Sequence, residues 1–492
     1  MLKQSQNGTS YRYSNNIIFK SMSQFKRSLS LQTTVAIVVG GVIGSGIFMK
    51  PALMASQLGS PVLLLSVWVV AGLITLFGAL SNAELASMFP ETGGQFVFFQ
   101  KIYGEGFAFM YGWASFAVFN TGGNASIAYI CSQYTNYFVE LPRFSEAMEH
   151  VFKLHIPYVG DIFPLENFGV KVLTMLIIIV LTYINYRSVK NGSGLQRVLT
   201  LLKVVAIILL IGGVLSSGKG SMHHLFTVMP SSPHGWNLVG AYVAAIAGAF
   251  WAYDGWNNIT FVAGEIKDPQ RNIPKSLFAG LSFCIIVYAL INLAYVYMLP
   301  IDQLAVSAFV ASDAAKVAWG AIGGSVIALI VIVSTFGTTN ANVLATARIT
   351  FAMGEENRWF RWAGKVQPQY QTPGNALWLN AIWSVLLILS GSFDMLTDML
   401  IFVSWFFYGM SALGVLILRK RMKDAPRFYK VWGYPFVPIV FVGFTVFFLC
   451  STLYTDILNY EHGATSVINS LLGILITCIG IPIYFFSKKA KG

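Results

Sequence analysis

The sequence predicts an all-α membrane protein of about twelve transmembrane helices, arranged as a five-plus-five inverted repeat with helices 1 and 6 broken and two extra helices following. Three observations predict it. Of 492 residues, 55% are hydrophobic and 11% charged, and the mean hydropathy is +0.64. Apolar stretches of about 20 residues, the length that crosses a bilayer as a helix, recur along nearly the whole chain. The first and the sixth of these stretches are interrupted near their middles.

In chain order the stretches fall at roughly 31–58, 61–88, 106–138, 169–187, 195–216, 237–264, 273–299, 321–350, 375–391, 396–419, 434–455 and 465–486. Ahead of them, 1–29 is polar and carries Lys3, Arg12, Lys20, Lys26 and Arg27. It reads as a cytosolic tail with no cleavable signal. A single transporter-sized domain, 30–487, follows, with repeat 1 at 31–216, repeat 2 at 237–419, helices 11 and 12 at 434–486, and a short cytoplasmic tail at 488–492. The longest polar loop, 139–168, is too short for a separate soluble domain.

The net charge of +12 does not mark a nucleic-acid binder, because the cations alternate between loops. Most Lys and Arg lie in the tail and in loops on the same side of the bilayer, including Lys267, Arg271, Lys275, Arg348, Arg358, Arg419–Arg421, Lys423, Arg427 and Lys430. Lys50, Arg143, Lys153, Lys171, Lys219 and Lys316 fall opposite. The positive-inside rule then makes both termini cytoplasmic in a multi-pass plasma (bacterial inner) membrane protein. Cys131, Cys284, Cys450 and Cys478 all sit in or near apolar stretches, so neither a disulfide framework nor a metal spacing is present. His223, His224 and His234 read as a solvated loop. No cofactor and no metal are expected.

Val38–Phe48 holds four glycines in eleven residues. Each costs a helix about 1 kcal/mol relative to alanine, and Gly44-Ser45-Gly46 is where backbone leaves helical geometry without a side-chain penalty. Unwound backbone at membrane depth is tolerated only when buried in protein or lining a cavity. The N–H groups that open the second half-helix attract anions, which makes Val42, Ile43, Gly44, Ser45 and Gly46 a candidate carboxylate cradle. Close helix packing by small residues is the competing reading. In the sixth stretch, Phe250–Asn258 contains Trp251, Ala252, Tyr253, Asp254, Gly255 and Asn257. Asp254 at mid-membrane costs about 2.5–3.5 kcal/mol on insertion scales, so it faces a cavity or bonds its own unwound backbone. Asn257 or Asn258 is placed to cap the second half-helix.

Five stretches separate the breaks, so the two broken helices run in opposite directions, and breaks at matching positions of two halves point to a central transport site. One break offers N–H groups and the other C=O groups, an arrangement suited to a zwitterion. Trp251 stands at the second break, where its ring could cover a ligand. Lys203, inside the fifth stretch, either snorkels to the interface or bonds unwound carbonyls of stretch 1 and hydroxyls of Ser334, Thr335 or Thr338. Glu84, Glu265 and Arg348, near span ends, form either a gate-closing salt-bridge network or plain interfacial anchors.

Ile-Gly-Ser-Gly-Ile-Phe (43–48), Ala-Glu-Leu (83–85), Thr-Gly-Gly (92–94), Trp-Ala-Tyr-Asp-Gly-Trp-Asn (251–257), Glu-Ile-Lys-Asp-Pro (265–269), Ser-Thr-Phe-Gly (334–337), Gly-Ser-Phe-Asp (391–394) and Tyr-Lys-Val-Trp-Gly-Tyr-Pro (429–435) resemble the L-type amino acid transporter family of the amino acid–polyamine–organocation superfamily. The Asp254 form is similar to its bacterial serine/threonine-exchanger branch. The resemblance spans about 30–486. It implies the inverted-repeat fold and sodium-independent exchange of amino acids. It implies that Ser45 and Gly46 bind the carboxylate, that the Val42 and Trp251 carbonyls receive the ammonium, and that Trp251 gates. It also implies that Gly123 lines the pocket and that Lys203 fills the place of a coupling ion. Animal members link to a heavy subunit through a Cys in the loop after span 3. That loop has none here, so no disulfide-linked partner is expected. Span 3 reads Asn120–Asn124 where many relatives carry a Pro-containing stretch, which bears on substrate range.

Small neutral L-amino acids carried by antiport are therefore the expected cargo, with the lipid bilayer the other partner. A proton-coupled symporter in which Lys203 titrates is the alternative. A membrane amino acid sensor would bring a signalling domain or long tail, and an intramembrane enzyme a metal motif or a Ser/Lys dyad; neither is visible.

Overall fold

A computed structural model describes residues 27, 29–91, 93–187, 192–356 and 361–489. The tail cations Lys3 to Lys26, Thr92, Lys190, Arg358 and Lys491 lie outside the described residues.

The first apolar stretch is two helices. The Ser30 hydroxyl accepts from Thr33 N to start α1 (Leu31–Val42). After Ile43–Ser45, α2 (Gly46–Leu58) leaves at a bend of 43°. Ser60 caps α3 (Pro61–Met88), with proline in the first turn where its missing N–H is harmless. α4 (Gln95–Tyr103) leads into the third stretch, built from α5 (Glu105–Ala114), a π-helical turn at Ser115–Asn120, and α6 (Thr121–Thr135). The π turn widens the helix just before Thr121–Asn124, a placement common at functional sites.

The loop 139–168 has secondary structure of its own. It holds α7 (Glu146–Glu149) and an antiparallel pair, β1 (Leu154–Ile156) with β2 (Gly160–Ile162), so the chain is not wholly helical. Arg143 donates from Nε and Nη2 to Glu149 at 2.9 and 3.0 Å. This pairing holds the Glu149 carboxyl below the usual carboxylate range.

Next come α8 (Phe168–Arg187) and α9 (Gly192–Ser216), then the sixth stretch as α10 (Trp236–Tyr253) and the single turn α11 (Asn258–Phe261). They are followed by α12 (Pro269–Met298), α13 (Ile301–Val306), α14 (Val310–Glu356, broken at Gly320 where φ is 78°), α15 (Gly374–Ser390), α16 (Phe393–Arg421) and α17 (Phe436–Glu461). The last stretch divides at Ile479 into α18 (Asn469–Cys478) and α19 (Gly480–Lys489). Among the described residues, eight helices are long and apolar enough to cross a membrane, nine if α1 and α2 count as one.

The broken helices occupy the interior. α1 packs on α12, and α2 on α10 and α13; α6 packs on α14 and α8. Val38, Val42, Ile43, Ile47 and Tyr253 are buried. α17 exposes Ile439, Val446, Phe447 and Tyr454, an apolar surface that suits lipid.

Candidate functional site

The two breaks meet backbone to backbone. A Cβ added at Gly46 would stand 2.7 Å from Ala252 Cα and 3.0 Å from Trp251 Cδ1, and one added at Gly41 would stand 3.0 Å from Gly255 O. Gly255 has φ +93°, which side-chain-bearing residues rarely adopt. Glycine at 41, 46 and 255 therefore lets the end of each first half-helix reach the opposite break.

At α2, the N–H groups of Ser45, Gly46 and Ile47 have no backbone acceptor among the described residues. Ser45 is the N-cap residue, and its hydroxyl does not cap the helix. Three unsatisfied donors at the start of a 13-residue helix form an anion-binding end.

At the opposite helix ends the carbonyls are partly used. Trp251 O accepts from Asp254 N at 3.2 Å. Tyr288 Oη, on α12, lies 2.8 Å from Val42 O and 2.9 Å from Ala252 O. One hydroxyl has one proton, so it serves two carbonyls with a single donor, and lone pairs at both helix ends stay open. Tyr288 carried no signal in the sequence beyond being an aromatic in an apolar span.

A cavity of about 1680 Å³ opens from these breaks toward the end of the bundle that bears Leu29. Val42, Gly44, Ser45, Gly46, Gly123, Trp251, Ala252, Asp254 and Asn257 all line it. Ile43 and Tyr253 do not: Ile43 is fully buried, and the Tyr253 hydroxyl donates to Trp68 O at 2.9 Å. These two were expected at the site because they adjoin the breaks, but they face the packed core.

Asp254 takes a hydrogen bond from Tyr408 Oη of α16 at 2.6 Å. Asn257 does not cap α11 with its side chain. Its carboxamide instead accepts from Asn82 Nδ2 at 2.6 Å and donates to Gln95 Oε1 at 2.7 Å, and Gln95 Nε2 donates to Ser411 Oγ at 2.8 Å. This buried chain of amides ties α3, the second break, α4 and α16 together.

Lys203 is buried and donates to Gly40 O at 3.2 Å and Thr338 Oγ1 at 3.3 Å. It reaches into the core. One detail differs from expectation: Gly40 lies in the last turn of α1 and not in the unwound segment. Of the three hydroxyls named from the sequence, Thr338 is the partner, not Ser334 or Thr335. The Thr335 hydroxyl donates back to Val331 O at 2.7 Å. The Ser334 carbonyl accepts from Thr338 Oγ1 at 2.9 Å.

Trp251 forms the cavity wall toward α2. Beyond it, Phe393 lies 6.2 Å away edge-on, and Lys50 Nζ stands 5.0 Å from the Phe393 ring. Lys50 is buried and pairs with Asp394 at 2.7 Å and Asp398 at 3.5 Å. The sequence placed Lys50 among loop and span-end charges. A lysine four residues after Gly46, inside an apolar stretch, was the available signal.

At the other end, of the two readings left open for Glu84, Glu265 and Arg348, a shared salt-bridge network is not made among the described residues. Glu84 pairs with Arg419 at 2.7 Å and accepts from Val431 N at 2.7 Å. Glu265 and Arg348 line the open cavity, and neither has an ion pair among the described residues. Their span-end positions were legible, but a partner so far along the chain as Arg419 was not. No group of His, Cys, Asp and Glu among the described residues could hold a metal.

Broken helices in contact at their breaks and lining one deep cavity are the arrangement of a membrane transport protein. Residues 29–482 match the amino acid permease family model, and the chain belongs to that family. It is 30% identical to the serine/threonine exchanger SteT of Bacillus subtilis, over 95% of this chain and 98% of that protein. It is 28% identical to the mouse b(0,+)-type amino acid transporter 1, covering 88% and 84% of the two chains. It is 27% identical to the mouse large neutral amino acids transporter small subunit 2, covering 94% and 81%.

Proposed function

We propose that this amino acid transporter is a sodium-independent exchanger of small neutral L-amino acids, working by alternating access through a twelve-helix, five-plus-five inverted repeat. The observation that carries the reading is the pair of open helix ends across the Gly46–Ala252 contact. Free N–H groups of Ser45–Ile47 suit a carboxylate. The carbonyls of Val42 and Ala252, sharing one Tyr288 proton, suit an ammonium. This moves part of the ammonium site from Trp251 O to Ala252 O.

Lys203 Nζ, bonded to α1 and α14, stands in for a coupling ion by holding the broken helix to the neighbouring bundle. With the termini cytoplasmic, the cavity is open to the inside and Trp251 closes it from the outside. The protein works without a disulfide-linked heavy subunit. Its described cysteines are unpaired, and none lies in the loop 139–168. Similarity to a serine/threonine exchanger supports a small polar cargo, and similarity to a large neutral amino acids transporter supports a neutral one.

Counterflow in proteoliposomes tests the reading. Serine or threonine uptake is expected to require an internal amino acid and to be unchanged when choline replaces sodium. Full-rate uptake into empty vesicles under a pH gradient would instead assign proton symport, with Lys203 titrating.

A further inference from the structure

The connection between α16 and α17 forms a second, separate cavity of about 320 Å³, lined by Arg419, Lys423, Ala425, Arg427 and Lys430. Arg419 is committed below it to Glu84 through Nε and Nη2, at 2.7 and 2.8 Å. Arg427 braces the end of α16: its Nη2 donates to Leu418 O at 3.0 Å and Met422 O at 2.9 Å, beside the backbone N–H groups of Met422 and Ala425 that these carbonyls also accept. Its Nε is buried without a hydrogen-bond partner, 3.3 Å from Glu84 Oε1. Lys423 and Lys430 are exposed at the mouth and have no ion pair among the described residues. Glu84 neutralises one of the four cations, and Asp424 on the same turn does not line the cavity. Three positive charges are left in excess around a small polar pocket.

The same connection exposes three large aromatics: Phe428 at 59%, Trp432 at 75% and Phe436 at 65%. In water that exposure is unfavourable, whereas amphipathic and aromatic rings gather at the headgroup level of a bilayer. The connection joins the ends of two helices long enough to span, so it sits at that level. We infer that this pocket binds the phosphate oxyanion of an anionic phospholipid headgroup, with the aromatics seated among the neighbouring lipids. A soluble phosphate would meet the same cations but would leave the aromatics unexplained. Glu84, from α3, lies under the pocket, so a bound headgroup adds charge balance where α3 meets α16.

The test uses the purified full chain and a double variant, Lys423→Gln with Lys430→Gln, chosen because neither lysine takes part in the packed ion pairs. Retention of phosphatidylglycerol and phosphatidylcholine is read by native mass spectrometry, with inorganic phosphate as competitor. The unaltered chain should retain phosphatidylglycerol in preference. The double variant should lose on the order of tenfold, since each lysine near an anionic surface contributes several-fold. Equal retention of phosphatidylglycerol by the variant would overturn the site. Displacement of phosphatidylglycerol by an equal concentration of inorganic phosphate would overturn the lipid assignment and leave a soluble anion as the ligand.

Discussion

The two ends of the broken-helix pair are built from similar residue types and are found in opposite conditions. Toward α2, Trp251 walls the cavity, Phe393 packs beyond it, and behind them Lys50 is buried against Asp394 and Asp398. Toward Leu29, Glu265 and Arg348 stand apart on the walls of an open cavity. The chain is also pinned there by backbone alone: Leu29 N donates to Glu265 O and Lys267 N to Leu29 O, both at 3.0 Å. One end is therefore packed with paired charges and aromatic rings, while the charges of Glu265 and Arg348 at the other have no ion pair among the described residues. A carrier that alternates has to break one set as it makes the other, and a ligand shifts that balance only through its differential affinity for the two states.

The largest effect is expected where the ends touch. Gly46→Val places atoms inside contact distance of Ala252 Cα, a backbone atom that cannot move alone. Exchange should be lost altogether, with the protein still inserted and folded. Amino acid binding by that variant in detergent would show that the Gly46–Ala252 contact is not the site.

Lys203→Ala comes second. It leaves Gly40 O and Thr338 Oγ1 without their donor, at roughly 1–3 kcal/mol for the unsatisfied groups, or about five- to 150-fold in exchange rate. Because the tether acts on α1, apparent affinity should fall more on one face than the other in oriented proteoliposomes. Lys203→Arg should rescue poorly, since a planar guanidinium does not replace a point charge. Unchanged affinities on both faces would mean that the lysine only packs.

The difference between the ends also marks what a sequence can reveal. The breaks were readable because they are local: glycines and an Asp-Gly inside apolar runs have few other uses at membrane depth. Lys203 was readable because a charge there needs partners. The partners themselves were not, since Tyr288, Tyr408 and Gln95 look like ordinary residues until the chain brings them to Val42, Asp254 and Asn257. The closed end was missed for a related reason. Lys50 and Asp394 are 344 residues apart, and the same lysine at a span end reads equally well as an interfacial anchor. The number of spans was blurred in the third, fifth and ninth stretches: a π turn divides the third, and among the described residues the apolar helices Lys203–Ser216 and Gly374–Ser390 are shorter than a full crossing.

A third prediction bears directly on the closed end. Lys50→Met removes the cation between Asp394 and Asp398, whose side chains are 50% and 33% exposed. Solvent screens the loss, which is about 0.2–1 kcal/mol for each of the two pairs, or about two- to thirtyfold together in the ratio of the two states. A cysteine introduced at Asp398 in the Lys50→Met background should label faster with an impermeant thiol reagent than the same cysteine with Lys50 intact. Equal labelling would mean that the aromatic pair closes this end without help from charge.

The smallest effect separates three of the hydroxyls of α14, those of Ser334, Thr335 and Thr338. Thr338→Ala removes one of two long acceptors of Lys203 Nζ and also the hydroxyl that bonds Ser334 O. Gly40 O still holds the ammonium, and the cavity admits water to Thr338, which lines it. The cost is therefore that of one weak hydrogen bond, about 0.5–1.5 kcal/mol, a two- to tenfold fall in exchange. Ser334→Ala and Thr335→Ala should fall by less than twofold, because the Thr335 hydroxyl is spent on its own helix and Ser334 offers Lys203 no bond. Combining Thr338→Ala with Lys203→Ala should add nothing further to the loss from Lys203→Ala, since both changes remove the same interaction. Full additivity of the pair, or a larger effect from Thr335→Ala than from Thr338→Ala, would move the lysine to another partner in the working transporter and detach it from the end of α1.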